Sequence, residues 1–146
     1  MRVENDGDRA VFTATAKVID VNERVSNPKF LQTYGLRWRS NGKDELTIGT
    51  GAAGSLVIAS TGATITETPS RRDLCELLLE GYVDGQPAQV DRFRWHKGDP
   101  TGAVTIFIEV TVSSSTTSGV VSRTFVIKSR EWGGVAIEEA TPTETG

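Results

Sequence analysis

The chain has one cysteine, one histidine and no long apolar run, and each of these shortages excludes a class of protein. Cys75 has no partner for a disulfide within the chain, and Cys75 with His96 supplies too few ligands for a Cys/His zinc site. No stretch approaches the ~20 apolar residues that a membrane-spanning helix needs. The first residues lack the apolar core of a signal peptide. We therefore predict synthesis in the cytoplasm, with no metal, no cofactor and no membrane anchor.

Length and charge describe a single acidic domain. The chain has 146 residues with a formal net charge of −3, and a domain of this size buries roughly two-thirds of its unfolded surface without disulfides or metals. The sequence shows no concentrated basic excess, which nucleic-acid or anionic-membrane binding would require.

Alternation of apolar and polar residues predicts strands over most of the chain. The pattern has a period of two in residues 10–21, 86–98, 103–114 and 120–132, as expected for half-buried strands. The last two are joined by a short polar link, which favours an antiparallel pair. Asn41-Gly42 between LRWRS and KDELTI predicts a hairpin with a type I′ turn.

Gly49, Gly51 and Gly54 form a G-x-G-x-x-G pattern after a predicted strand. A dinucleotide cradle requires a helix directly after the glycines, because its N-terminal N–H groups bind the phosphate. The following residues, SLVIASTGATITET, instead favour strands. We therefore predict a mobile glycine-rich loop between strands at 49–54.

Residues 71–80 are predicted to form one short helix. Ser70 and Asp73 have capping-box spacing, the leucines at 74, 77 and 78 share a helical face, and Gly81 stands where a helix would stop. The predicted fold is a mainly β protein, an antiparallel β-sandwich or barrel with this helix on its flank. Residues 1–9 are expected as a flexible arm, 10–132 as one β-sandwich domain and 133–146 as a C-terminal tail.

No catalytic residue is predicted, and we expect the protein not to be an enzyme. We interpret Cys75 as a core thiol and His96 as an unrelated histidine at a strand end rather than as a catalytic pair. A nucleophilic cysteine needs a nearby base and an electropositive setting. The hydrolase motifs G-x-S-x-G and H-E-x-x-H do not occur. A catalytic pair of carboxylates that folding brings together remains an alternative, because a sequence does not show spacing in three dimensions.

Two segments alternate arginine with aromatic residues: Arg37-Trp38-Arg39 and Arg92-Phe93-Arg94-Trp95. On strands the aromatics face the core and the arginines face outwards, where they are solvated or pair with carboxylates of a neighbouring subunit. A nucleic-acid platform needs rings and guanidiniums on the same surface, which alternation prevents. The candidate subunit-interface residues are Arg37, Arg39, Gly49, Gly51, Gly54, Arg92 and Arg94.

The order of elements in the second half resembles the phage tail-tube (major tail) proteins, which are related to the inner tubes of contractile injection systems. The resemblance runs through ATITET, SRRDLCELLLEG, AQVDRFRWHKG, AVTIFIEVTVSS and VVSRTFVIKS. It implies a structural virion protein that forms stacked, typically hexameric rings and makes a conduit for DNA. Its partners would be other copies, other tail proteins and passing DNA that it does not bind specifically. The resemblance carries no site residues.

Three alternatives remain. One is another virion component, such as a decoration or tail-completion protein. Another is a monomeric β-sandwich module for a carbohydrate or protein ligand, with Trp38, Trp95 or Trp132 as a stacking platform. The third is a small barrel enzyme or carrier with His96 or clustered carboxylates in its cavity. In a tube subunit, the loops at 22–35, 49–54 and 114–119 are expected to become ordered between rings.

Overall fold

The fold is built entirely of β-strands in the part of the chain that the computed structural model describes, which is residues 1–21, 33–64, 74–96, 104–116, 120–130 and 135–140. The strands are β1 (Arg2–Glu4), β2 (Ala10–Val21), β3 (Tyr34–Gly35), β4 (Arg37–Trp38), β5 (Glu45–Ile48), β6 (Ala53–Val57), β7 (Ser60–Thr64), β8 (Leu74–Val83), β9 (Gln86–His96), β10 (Thr105–Ser114), β11 (Val120–Ser129) and β12 (Val135–Glu139). Among these residues no helix is long and apolar enough to cross a membrane.

The strands form two antiparallel sheets. The larger has nine strands and runs β12-β11-β10-β2-β3-β8-β7, with β5 also paired to β2 and β9 also paired to β8. It curls into a half-barrel. The smaller sheet has three strands in the order β1-β6-β4. The mainly β, antiparallel part of the predicted fold is thus confirmed.

One continuous core lies between the two sheets. Alternate residues of β2 and β10 face it, and they meet side chains of the small sheet such as Trp38 and Leu56. The fully buried large side chains are Trp38, Phe93, Leu36, Leu77, Leu79, Ile106, Ile108, Ile127, Val18, Val90, Val104 and Val110. We call the side of the large sheet that carries these residues its core face and the other side its outer face. The strand predicted at 10–21 is β2, and the predicted antiparallel pair is β10 with β11.

The predicted helix at 71–80 is wrong, because residues 74–83 form strand β8. Its side chains alternate: Cys75, Leu77 and Leu79 are buried, whereas Glu76 and Leu78 are half-buried. Leucine favours a helix locally. Here β8 gains backbone partners on both edges, with β9 on one side and β7 and β3 on the other, and tertiary pairing outweighs that preference. Residues 71–73 lie outside the described part.

Gly81 does not end a helix, although the sequence pattern predicted that it would. It allows strands β3 and β8 to approach each other closely. A Cβ placed on Gly81 would lie 2.0 Å from the carbonyl oxygen of Gly35 on β3. Any larger residue would therefore push β3 and β8 apart.

The sharp turn of the large sheet is Asp84-Gly85, not Asn41-Gly42. Asp84 has φ 51° and Gly85 has φ 75°, the two positive angles of a type I′ turn, and they join β8 to β9. Gly42 has φ 69°, but Asn41 is not in the left-handed region. The predicted type I′ hairpin is therefore wrong, and β4 pairs with β6 rather than with β5.

Both ends of the described chain take part in the sheets. Arg2–Glu4, expected as part of an arm, pairs with β6 from Arg2↔Ser55 to Glu4↔Ala53. Val135–Glu139, expected as part of a tail, pairs with β11. Residues 141–146 lie outside the described part.

Two polar atoms in the core, Tyr34 Oη and Trp38 Nε1, have no hydrogen-bond partner among the described residues. Burial, followed by the nearby charge of Asp91, raises the pKa of Tyr34 above its usual value. The neutral phenol therefore sits in the core without a hydrogen bond to stabilise it.

Truncating Leu77 and Leu78 separately tests the strand at 74–83. Leu77→Ala should lower the free energy of unfolding by about 2–5 kcal/mol, because it empties a fully buried site. Leu78→Ala, on the outer face, should cost less than about 1 kcal/mol. Urea unfolding monitored by circular dichroism measures both. Equal large losses would indicate the helical face that the sequence pattern predicted.

Replacing Tyr34 with Phe tests the unpartnered hydroxyl. A group whose folded pKa is raised contributes stability that is present below its unfolded pKa, about 10 for tyrosine, and is lost as pH rises above that value. Tyr34→Phe should therefore change stability little at pH 7 and reduce the loss of stability between pH 9 and 11.

Tyr82→Phe is the matched control, because the Tyr82 hydroxyl donates to the carbonyl oxygen of Gly42. It should cost about 0.5–1.5 kcal/mol at pH 7, measured by the same urea titration. A loss at Tyr34 larger than at Tyr82 would show that Tyr34 has a partner.

Candidate assembly interface

The outer face of β8 and β9 carries a cluster of alternating charges. Glu76 lies opposite Arg94 in the β8–β9 register and is flanked by Arg92. Glu76 Oε2 is 3.1 Å from Arg94 Nε and 3.6 Å from Arg92 Nε. Because one carboxylate serves two guanidiniums, the cluster keeps an excess positive charge. Both arginines are exposed, so each ion pair adds little stability.

Arg37 extends this outer face beside β8. Its Nη1 lies 3.9 Å from Glu80 Oε2, and both side chains line a groove of about 430 Å³ that also includes Tyr82 and Gln89. The structure therefore brings Arg37, Arg92 and Arg94 around the two glutamates of β8. Within the described part of the chain, Arg39 forms no ion pair with these glutamates, and its backbone N–H donates to Ser55 O at 2.8 Å in the small sheet.

Strands β9 and β12 are two outer strands of the large sheet. Each pairs with a single neighbour in the described part of the chain, β9 with β8 and β12 with β11. The described parts of β5 and β7 also pair with one neighbour each. Six successive antiparallel pairings lead from β12 to β9. An even number of reversals leaves the direction unchanged, so β9 and β12 run the same way.

The hydrogen-bonding groups at the free edge of β12 follow from its ladder with β11. Ala140 N donates to Thr124 O at 2.8 Å, which continues the register of this pair. Hydrogen-bonded and non-hydrogen-bonded pairs alternate in an antiparallel ladder. Ala136 and Glu138 therefore direct their backbone groups to β11, and Val135, Ile137 and Glu139 direct theirs outwards.

In the first half of the free edge of β9, Pro87 and a bulge interrupt the row of backbone groups that another strand could pair with. The turn at Asp84-Gly85 makes Val83 and Gln86 a hydrogen-bonded pair, so Pro87 faces outwards, where it has no N–H to offer. The ladder then shifts by one residue between Leu79 and Glu80. This bulge puts Val90 and Asp91 together in the interior.

Beyond the bulge the alternation exposes the backbone of Arg92, Arg94 and His96. The N–H of Arg92 donates to the Asp91 carboxylate at 2.8 Å, which occupies it. Among the described residues, the groups of this half without a partner are the carbonyl of Arg92 and both backbone groups of Arg94 and His96.

The glycine-rich segment belongs to the small sheet rather than to a loop that projects from the protein. Gly54 lies in β6, where an added Cβ would be 2.6 Å from Leu46 Cδ2 and 3.1 Å from Trp38 Cζ3. Gly49 and Gly51 form the tight turn before β6, and this turn is held by Asn5. Asn5 Nδ2 donates to Ile48 O at 2.8 Å, and Asn5 O accepts from Gly51 N at 2.8 Å.

Two of the three proposed stacking platforms, Trp38 and Trp95, and the thiol of Cys75 lie inside the protein. Trp38 is 0% exposed and Trp95 is 3% exposed, so neither offers a ring to a ligand. Trp132 lies outside the described residues, as do 22–32 and 117–119 of the predicted loops. Cys75 is buried in register with Trp95. Within the described ranges no group of three or more His, Cys, Asp or Glu side chains could hold a metal ion.

Sequence reasoning missed Glu76, Asn5 and Glu138 as parts of this arrangement. Glu76 was assigned to a helix, and the other two to an arm and a tail. The strand alternation of LCELLLEGYV before Asp84-Gly85 is the signal that finds Glu76. Asn5 had no such signal, because Ile48, its partner in the glycine turn, is 43 residues away.

No protein-family model, curated protein or solved structure matches this chain.

Substituting Asn5 tests whether the glycine turn is part of the folded unit. Asn5→Ala removes the donor to the buried carbonyl of Ile48 and should cost about 1–3 kcal/mol of unfolding free energy. Asp6→Ala, at the exposed neighbouring position, should change it by less than about 0.5 kcal/mol. Thermal and urea unfolding measure both, and equal stability of the two variants would show that Asn5 does not anchor the turn.

Proposed function

We propose that this protein is a structural subunit that assembles with copies of itself. In the specific form of the proposal, it is a tail-tube subunit of a virion, whose rings stack into a conduit for DNA. The proposal assigns the chain no catalytic role. Its partners are identical subunits and the neighbouring components of the tail.

The observation that carries the proposal is the pair of open, equally directed edges on the large sheet. Strand edges present unpaired N–H and C=O groups, which another strand can satisfy. When the two edges of one subunit point the same way, each copy can add to the next in the same orientation. Such a head-to-tail contact generates rings when the rotation closes and filaments when it does not.

The surface around these edges fits an assembly protein better than a sugar-binding module. The described tryptophans that a carbohydrate module would expose are buried. The arginines predicted as interface residues, Arg92 and Arg94, lie directly beside one open edge. These positions support the interface interpretation of the arginine–aromatic pattern over solvated charges alone.

A proline at Ile137 tests assembly through the β12 edge. The outward N–H of Ile137 is not used by β11, so Ile137→Pro should keep the fold while it removes a donor from the free edge. We expect the unsubstituted protein to form rings or filaments at high concentration, seen by negative-stain microscopy and analytical ultracentrifugation. Ile137→Pro should raise the dissociation constant of assembly at least about tenfold, so that more monomer is present at equal concentration.

Ile137→Thr is the matched control, because threonine keeps the N–H and suits a strand. It should assemble nearly as well as the unsubstituted chain. Circular dichroism and thermal unfolding check that both variants remain folded. If the unsubstituted protein sediments as a monomer at millimolar concentration, the proposed function is wrong.

A further inference from the structure

We propose that β12 of one subunit pairs in parallel with the open half of β9 of a second copy, with Glu138 lying on Arg94 of that copy. This inference rests on the proposed self-assembly and specifies the interface that performs it. Four independent features of the two edges agree with this pairing: strand direction, face, backbone groups and charge.

Direction makes the pairing parallel. Copies related by a head-to-tail rotation about an axis along the strands keep their strand directions. Because β9 and β12 run the same way within a subunit, the β12 of one copy meets the β9 of the next in parallel.

The length of β12 matches the open part of β9. β12 has 5 residues, and the stretch of β9 left open beyond Asp91 ends at His96. With Glu138 beside Arg94, residues 136–139 lie beside residues 92–95 of this open stretch, and Val135 alone reaches Asp91 at the bulge.

The two faces of the sheet also match across the contact. Ile137 lies opposite Ile127, so its side chain is on the core face, and Glu138 lies opposite Val126 on the outer face. On β9, Phe93 is on the core face and Arg94 on the outer face. Placing Ile137 beside Phe93 keeps every side chain on its proper face, and it shields an isoleucine that is 42% exposed in the single subunit.

The backbone groups used by this register are the ones that β9 leaves open. In a parallel pair, the N–H of one residue bonds the carbonyl before its register partner, and its carbonyl accepts from the N–H after that partner. Ile137 N–H therefore meets the Arg92 carbonyl, and Ile137 C=O meets the Arg94 N–H. The Arg92 N–H, which is already bonded to Asp91, is not required.

Charge and backbone groups together select this register over its neighbours. With Ile137 beside Phe93, Glu138 stands next to Arg94 and Ala136 next to Arg92 on the outer face. Glu76 already shares one carboxylate between these two arginines, so a second carboxylate balances the cluster. A shift by two residues would place Ala136 beside Arg94 and move Glu138 away from both arginines. A shift by two residues the other way, which placed Glu138 beside Arg92, would set the Ile137 carbonyl against the Arg92 N–H, which is already bonded to Asp91.

A charge swap between Arg94 and Glu138 tests the contact. Arg94→Glu and Glu138→Arg should each raise the dissociation constant of assembly by at least about tenfold, because each puts like charges together. The double variant should return within about threefold of the unsubstituted protein, because it restores the opposite pair with its sign reversed. Sedimentation velocity at ~0.05 and ~0.5 M NaCl measures this, and salt should weaken the native contact.

Arg39→Glu is the control, since Arg39 is an exposed arginine that lies on neither strand of this pairing. It should leave assembly unchanged. Glu138→Arg removes no ion pair recorded for Glu138 among the described residues, so its result does not depend on the Glu76 cluster staying intact. Recovery of assembly in the double variant supports the inference.

Two results would overturn the proposed β9–β12 pairing, and only one of them would also overturn the proposed self-assembly. If the unsubstituted protein assembles and neither single reversal weakens it, the β9–β12 contact is wrong while self-assembly stands. If the unsubstituted protein does not assemble, the inference falls together with the proposed function.

Discussion

The architecture is governed by the requirement that backbone N–H and C=O groups at the ends of a sheet find partners. The large sheet satisfies these groups in its interior through long antiparallel ladders, such as β10 with β2 and β11. The ladders stop on β9 and β12, since each of these strands pairs with one neighbour in the described part of the chain. These ends receive different treatment. The first half of the β9 edge is interrupted by Pro87, by a bulge and by the inward-facing Asp91. The second half of this edge and the β12 edge keep backbone groups that can pair with another strand.

The small sheet makes this arrangement possible by covering the core face. β1 and β4 flank β6, and Trp38 and Leu56 complete the core that β2 and β10 provide. Asn5 links β1 to the turn before β6 through bonds to the backbone of residues 48–52. With the core face covered from within the chain, the outer face and the free edges of β9 and β12 are among the described surfaces left for partners.

How far the sequence predicts this structure depends on the range of the interaction. Strand β2 was predicted with its observed limits, because a period of two over residues 10–21 is a local signal. Residues 71–80 were assigned to a helix, since the leucine spacing fits both periods, and only the pairing of residues 74–83 with β7, β3 and β9 decides between them. Among the interface residues, Arg92 and Arg94 were predicted from alternation. Glu76 and Glu138 required the register of strands distant in sequence.

In the proposed assembly, two copies could meet through the same edge, β9 with β9 or β12 with β12, or through different edges, β9 with β12. The charge pattern favours one of these arrangements. A two-fold contact joins an edge to itself in the antiparallel sense. For β9 this would set Arg94 against the Arg94 of its partner, and directly opposed like charges are unfavourable. For β12 the self-contact centres on Ile137 and leaves the excess charge of the Arg92–Glu76–Arg94 cluster without a partner. A contact between unlike edges, as proposed, would use both features at once, and because it would consume one β9 and one β12 per copy, it would repeat until curvature closed a ring.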